Sequence, residues 1–475
     1  IEEHAMPGTD AMKKYSINPE IFREYDIRGV VGHDFDEAFA YGLGQAITTY
    51  IITKSKSASG VAASPVLTVG YDARLSSPGL AAAMSEGMQS AGAKVITLGL
   101  ITTPMSYFST FHLKEVTGGV MITGSHNPPE YNGFKISVGK STISGAEIQE
   151  LRKLMEKRQF AEGKGSQVHY DIFEDYIGRY RTEFKDLKPV KVVLDCGNGV
   201  AGCVVRRLYE AVGLKPEILF EEPDGKFPNH HPDPTVEKNL TALKAKVIET
   251  GSVVGIGFDG DADRIGIVDG KGRFIQGDEM MMLISRAVLK ATPGAKIIGD
   301  VKCSDRLFED VKKNGGQPIM WKTGHSLIKA KIKEEKAPFG GELSGHVFFA
   351  DRNYGYDDAL YAGLRVVEIL SQTGKTIEQL LEGIPSAFNT PEIRIDTTED
   401  KKRAIVLKLQ TVYAKDTADY KINQIDGVRI SYKDGWALAR ASNTQPVLVL
   451  RFESTSQAGL KRIQGEIESI VNPML

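Results

Sequence analysis

The sequence is short of most features that would tie a protein to a membrane, an oxidising compartment or a polyanion. It has three cysteines, Cys196, Cys203 and Cys303, with no CxxC spacing and no histidine beside them. This argues against a disulfide framework or zinc site and predicts a reducing compartment. Long apolar runs are missing as well. The longest are strand-sized, such as Val447-Leu448-Val449-Leu450, far from the ~20 residues of a membrane span. There is no basic excess: 59 Lys and Arg stand against 61 Asp and Glu, a formal net charge of −2. Nothing electrostatic points to nucleic acid. Residues 1–14 are polar, carry Glu2, Glu3 and Asp10, and lack the apolar stretch of a signal peptide. They are expected to form a disordered tail. These absences together predict a cytoplasmic protein with neither a membrane nor a nucleic-acid partner.

What is present is enough chain for several cores. The 475 residues exceed what one hydrophobic core serves, and three or four domains are expected. One pattern occurs three times: an apolar strand ending near an Asp, a helix, a Gly, then a second strand. The strands and helices fall at 67–72, 80–90 and 94–98; at 192–195, 204–211 and 216–220; and at 297–300, 306–313 and 317–321. The glycines after the helices, Gly92, Gly213 and Gly315, are helix stop signals. The terminal residues Asp72, Asp195 and Asp300 are roughly a hundred residues apart, a domain-sized repeat rather than a solenoid period. Such units imply parallel or mixed sheets covered by helices. The C-terminal region differs. Strands at 428–432, 436–441 and 446–454 follow one another through short turns. A helix opened by Ser456 then places Leu460, Ile463, Ile467 and Ile470 on one face. The fold class is α/β, three similar domains with mixed sheets, plus a C-terminal α+β domain. Linkers are expected near 160–172 and 383–391.

Four segments carry chemistry. In Gly119-Val120-Met121-Ile122-Thr123-Gly124-Ser125-His126-Asn127-Pro128-Pro129 a buried strand runs into a polar turn closed by two prolines. Prolines end the sheet, and Gly124 is expected to turn the chain so that Ser125 stands exposed at the strand end, where α/β sheets place ligands. A Ser-Asn turn without chemistry is the plainer alternative. In Asp259-Gly260-Asp261-Ala262-Asp263-Arg264, three carboxylates alternate between two apolar strands. They would repel one another unless a hard cation such as Mg²⁺ joined them, and Arg264 adds a fork for phosphate. A solvated acidic turn is the alternative, and an EF-hand fits poorly because Arg264 stands at its required Gly. The Gly-rich turn Gly340-Gly341-Glu342-Leu343-Ser344-Gly345-His346 suits sugar hydroxyls. Arg440-Ala441-Ser442-Asn443-Thr444 suits a phosphate, although in isolation a capped polar turn is the favoured reading.

Taken together and in this order, the four segments resemble the α-D-phosphohexomutases, and within them the bacterial branch that handles both mannose and glucose phosphates. Tyr25-Asp26-Ile27-Arg28-Gly29, Phe227-Pro228-Asn229-His230-His231-Pro232 and Trp321-Lys322-Thr323-Gly324-His325 add to the likeness, which runs from about Ile21 to the C-terminus. Leu343 departs from the family's usual Met. The resemblance implies domains at 15–170, 171–272, 273–387 and 388–475. The first carries the phosphoserine loop, the second the metal loop and the third the sugar loop. The last is a TATA-binding-protein-like phosphate domain. It implies that Ser125 carries the phosphoryl group. Asp259, Asp261 and Asp263 would hold Mg²⁺ together with an oxygen on Ser125. Arg264 and Lys135 would steady the group in transfer, and Lys135, His126, Arg28 and His346 are candidates for proton transfer. Tyr25, Lys302 and His325 match substrate positions, Glu342 and Ser344 the sugar O3 and O4 contacts. Arg440, Ser442, Asn443 and Thr444 match the site of the phosphate that stays. The implied reaction converts hexose 1-phosphate to hexose 6-phosphate through a hexose 1,6-bisphosphate, which also serves as activator, in a monomer or weak oligomer. Phosphoglucosamine mutase is the main alternative, disfavoured by Gly124 and Leu343. A haloacid-dehalogenase-type phosphatase would leave Ser125 unexplained, and a non-catalytic sugar-phosphate binder would leave the catalytic residues idle.

Overall fold

In the computed structural model the described residues are 14–59, 64–443 and 445–475; residues 1–13, read above as a tail, lie outside them. Each predicted strand–helix–strand repeat forms, and in each the two strands pair in parallel. Val66–Tyr71 pairs with Lys94–Leu100 across helix Ser77–Ser90. Val192–Asp195 pairs with Glu217–Leu219 across Val205–Ala211. Lys296–Asp300 pairs with Gln317–Trp321 across Asp305–Lys313. The glycines that end these helices adopt positive φ, 96°, 88° and 79° at Gly92, Gly213 and Gly315, where a side chain would be strained.

The chain divides into two units. The first comprises Ile1–Gln276 and Ser344–Glu378. One of its sheets runs in the order Ile27–Val30, Tyr131–Val138, Gly118–Ile122, Val66–Tyr71, Lys94–Leu100, Ser166–His169, with Ser141–Thr142 beside Tyr131–Val138. The pairing is parallel from Gly118–Ile122 through Ser166–His169 and antiparallel at the Tyr131–Val138 side. Its second sheet runs Phe274–Ile275, Ile265–Asp269, Val254–Phe258, Val192–Asp195, Glu217–Leu219, again mixed. Helix Ala359–Thr373 lies on this sheet: Gly363 is so close to Ile256 and Tyr209 that a methyl there would touch both. Asp358 caps the helix, its Oδ1 accepting from Tyr361 N at 2.9 Å, and its Oδ2 accepts from the hydroxyls of Tyr176 at 2.7 Å and Tyr180 at 2.5 Å.

The second unit comprises Gly277–Leu343 and Gln379–Leu475. Strand Lys296–Asp300 has parallel neighbours in Gln317–Trp321 and Phe339–Gly341. The C-terminal sheet is wholly antiparallel, with helices Glu399–Val412 and Gln457–Val471 against it. As predicted, Ser456 caps the last helix, its Oγ accepting from Gly459 N at 3.0 Å. Leu460, Ile463 and Ile467 are buried, but Val471 rather than Ile470 completes the buried face, because an eleven-residue step from Leu460 closes three helical turns more nearly than ten. Both predicted linkers contain strand. Ser166–His169, within 160–172, extends the first sheet, and Phe388–Asn389, within 383–391, pairs with Val447–Ser454. The first is an edge strand exposed throughout, so it carries no apolar alternation that would mark it in the sequence.

Candidate active site

The chemistry gathers at the C-terminal ends of parallel strands, as open α/β sheets dictate. Gly118–Ile122 leads into the Ser125 turn, and Val254–Phe258 leads into the three-aspartate loop. That loop joins two strands buried at every residue, in antiparallel register with Phe258 opposite Ile265. The hairpin therefore holds Asp259, Asp261 and Asp263 in a fixed array, each fully buried.

Ser125 differs from expectation in two ways. It is 2% exposed rather than open to solvent. Ser125 itself, not Gly124, takes the left-handed backbone, with φ 51°. Its Oγ donates to Asp259 Oδ2 at 2.9 Å and lies 3.1 Å from His126 Nδ1. Arg28 reaches the same turn, its Nη1 donating to Asn127 Oδ1 at 2.8 Å while Nη2 pairs with Asp26 at 2.5 Å. Tyr25, just upstream, is buried.

The carboxylates are held unequally. Asp261 accepts from Lys135 Nζ at 2.7 Å and Thr103 Oγ1 at 2.6 Å. Burial works to raise its carboxyl, but Lys135 and these hydrogen bonds outweigh it and hold it below the usual range. Lys135 also pairs with Asp263. Burial would discharge the lysine, yet the two carboxylates keep it firmly cationic. Among the described residues no cation forms an ion pair with Asp259; burial, Asp261 and Asp263 push it well above the carboxylate range against the pull of Arg264 and Lys135. Burial, with Arg264 and Arg28 nearby, drives His126 well below the usual imidazole range, so its ring is neutral. His346 joins the group: its Nε2 accepts from Arg264 Nε at 3.0 Å, and Nδ1 lies 3.0 Å from Asp357 and 3.8 Å from Asp263. Accepting at Nε2 places the ring proton on Nδ1, facing the carboxylates. Ser344, two residues earlier, is half-buried.

The remaining predicted residues belong to the second unit and form a group there. Asp300 Oδ1 accepts from Leu343 N at 3.0 Å and its Oδ2 from Thr323 Oγ1 at 2.9 Å. Glu342 is buried and accepts from Gly324 N at 2.6 Å, next to His325 at a helix start. Asp426 Oδ2 accepts from both Thr323 N, 2.9 Å, and Arg440 Nε, 3.1 Å. Lys302 pairs with Glu392 at 3.1 Å. Burial opposes its charge, but Glu392 and Asp300 raise it, while Glu392 is lowered to about 2 against its own desolvation by Lys302 and Arg394. Ser442 is buried and Asn443 exposed; Thr444 lies outside the described residues. The turn is secured by Lys402 Nζ, which donates to the carbonyls of Ser442 at 2.7 Å and Gln445 at 2.9 Å.

Thr103, Asp357, Asp426, Glu392 and Lys402 were not found by sequence reading. Each sits outside the four motif segments and reaches its site through the fold.

A nucleophilic hydroxyl against a buried carboxylate cluster with a paired lysine and arginine defines an enzyme of phosphoryl-transfer type on an α/β scaffold. The comparisons specify it further. Four family models match in chain order: phosphoglucomutase/phosphomannomutase α/β/α domain I at residues 19–162, domain II at 173–272, domain III at 276–388 and the C-terminal domain at 392–470. The chain is 45% identical over 452 residues to phosphomannomutase/phosphoglucomutase of Pseudomonas aeruginosa, covering 95% of each. It is 42% identical to phosphoglucomutase of Neisseria gonorrhoeae, covering 97% of this chain and 99% of that one. A solved phosphoglucomutase/phosphomannomutase family protein from Burkholderia thailandensis superposes with TM-score 0.87 at 42% identity, covering 97% and 98%. The chain belongs to the phosphoglucomutase/phosphomannomutase family.

Proposed function

We propose that the protein interconverts hexose 1-phosphates and hexose 6-phosphates, of mannose and glucose alike, through phosphorylated Ser125 and a hexose 1,6-bisphosphate. The observation that carries this reading is Ser125 Oγ set 2.9 Å from Asp259 within an array of three buried aspartates. Domains at 15–170, 171–272, 273–387 and 388–475 belong to the same reading, supported by four family matches that fall within or close to those limits.

The donor set suits Mg²⁺: hard carboxylate oxygens of Asp259, Asp261 and Asp263 that lie within 4.8 Å of one another. Their mutual repulsion, seen in the raised Asp259 carboxyl, is what a divalent cation relieves. Bound there with a Ser125 oxygen, the metal would neutralise charge on the phosphoryl group. The protein's own groups do the rest. Lys135 and Arg264 offer fixed positive charge to the equatorial oxygens, and charge stabilisation and alignment are the main contributions in such transfers. His126, neutral and 3.1 Å from Ser125 Oγ, can receive or return the serine proton. Lys135, held cationic, donates rather than accepts. His346, Arg28 and Tyr25 serve the sugar oxygens and its approach. Glu342 and Ser344 hold O3 and O4. Lys302, His325, Arg440, Ser442, Asn443 and Thr444 hold the sugar and the phosphate that stays.

A 1-phosphate gains a second phosphoryl group at O6 from Ser125, and the resulting bisphosphate returns the one at O1 to Ser125. Added hexose 1,6-bisphosphate therefore activates by phosphorylating the free serine. Gly124 speaks against the glucosamine alternative, whose loop usually has Ala there: a Cβ at 124 would overlap the Arg74 guanidinium. A cytoplasmic location fits three free cysteines; a monomer or weak oligomer belongs to the same reading, and light scattering on the purified chain checks the mass. The deciding experiment measures isomerisation of glucose, mannose and glucosamine 1-phosphates with Mg²⁺ and trace bisphosphate, with intact-mass analysis for phosphate on Ser125. Turnover of the first two and a single phosphate on Ser125 are expected; preference for the glucosamine phosphate would reassign the substrate.

A further inference from the structure

We infer that Arg74 is a positioning residue for phosphoryl transfer, holding Ser125 in its left-handed conformation by gathering the carbonyls of the loop that bears it. The inference rests on Ser125 as phosphoryl carrier.

Arg74 follows strand Val66–Tyr71 and is 1% exposed. Its Nη2 donates to the carbonyls of Ser125 at 2.8 Å and Asn127 at 2.7 Å. Its Nη1 donates to the carbonyls of Pro128 at 2.5 Å and Tyr131 at 2.9 Å. Nε bonds Asp72 Oδ2 at 3.1 Å, and that same oxygen accepts from Gly124 N at 3.1 Å. The other Asp72 oxygen accepts from Arg74 N at 3.0 Å and Ser77 Oγ at 2.6 Å. A guanidinium has five N–H donors, and all five are used. Four of them define one short turn.

The peptide geometry explains why prolines follow. In a trans peptide each carbonyl opposes the N–H of the next residue. Turning the carbonyls of Asn127 and Pro128 to Arg74 would leave two donors facing away, but the next residues, Pro128 and Pro129, have none. A left-handed backbone is unfavourable for a non-glycine residue, a cost that charge-assisted bonds to the flanking carbonyls can offset. Gly124 completes the arrangement, since any side chain there would occupy the guanidinium's place. Lysine cannot substitute: its three donors radiate from one point and cannot span four carbonyls and a carboxylate.

The direction of Ser125 Oγ follows from the Ser125 backbone, so loss of this grip should displace the oxygen from Asp259 without touching the groups that bind sugar. The test is steady-state kinetics on full-length Arg74→Lys and Gly124→Ala, with thermal unfolding and transfer of labelled phosphate from hexose 1,6-bisphosphate to Ser125. A displacement near 1 Å costs ~10²-fold in rate. Expected for both variants is a kcat loss of that order, KM within about threefold, unfolding midpoints within a few degrees and slower labelling of Ser125. A kcat within about threefold of wild type in either variant overturns the inference. So does a loss explained by unfolded protein alone, with the folded fraction turning over normally. If wild type turns over without labelling Ser125, the phosphoserine reading falls and this inference with it. Label on wild-type Ser125 with normal turnover by Arg74→Lys overturns this inference alone.

Discussion

Three aspartates, one lysine and one serine carry most of the proposed chemistry. Ser125→Ala removes the oxygen that bonds Asp259 and, in the proposed reaction, carries the phosphoryl group. Isomerase activity should fall by ~10³-fold or more, as expected when a covalent route is lost, with no phosphate found by intact mass. Asp261→Asn keeps the shape that accepts from Thr103 and Lys135 but removes a charge. The Mg²⁺ concentration for half-maximal activity should rise at least about tenfold, since hard cations bind through carboxylate charge. An unchanged metal requirement would remove Asp261 from the ligand set. At this scale the sequence brought out the residues proposed for the chemistry wherever they are contiguous. Ser125, His126 and the three aspartates lie in two short segments that stand out from the flanking strands by composition. Asp357, Thr103 and Glu392 were invisible because a lone Asp, Thr or Glu has no local pattern, and only the fold brings each to its partner.

Elements show a different balance. The strand–helix–strand repeats were legible because apolar strands, helix faces and terminal glycines agree with one another. The edge strand Ser166–His169 was not, since its pairing uses backbone groups alone. Helix Ala359–Thr373 carries a testable tension at its start. Burial lifts the Asp358 carboxyl to about 6, against hydrogen bonds from Tyr180, Tyr361 and Tyr176 that favour the ion. The folded chain thus holds this proton more tightly than the unfolded chain. The stabilisation it brings is complete below about pH 4, the ordinary aspartate value, and is lost as pH rises through about 6. Asp358→Asn, which cannot ionise, should therefore gain on wild type by roughly 2–3 kcal/mol between pH 4 and pH 7 in denaturant titrations. A difference that stays flat across that range would show that Asp358 titrates normally.

For the molecule as a whole, substrate breadth is the property most open to test. Glucose and mannose differ only at O2, and the proposed grips, Glu342 and Ser344, address O3 and O4. A site that ignores the differing hydroxyl should discriminate by less than about 10²-fold, whereas one built to bond it reaches roughly 10⁴-fold. The kcat/KM values for glucose 1-phosphate and mannose 1-phosphate should lie within the first limit; a ratio beyond about 10³ would mean that another residue reads O2. The order of the chain has a consequence during synthesis. The first unit is interrupted: residues Gly277–Leu343 belong to the second unit, and Ser344–Glu378 return to the first. Helix Ala359–Thr373, which covers the Val254–Phe258 sheet, and His346, which joins the aspartate array, are therefore translated about a hundred residues after the strands they complete. At roughly 5–20 residues per second, a nascent chain waits about 5–20 s before the helix that covers this sheet face has been made.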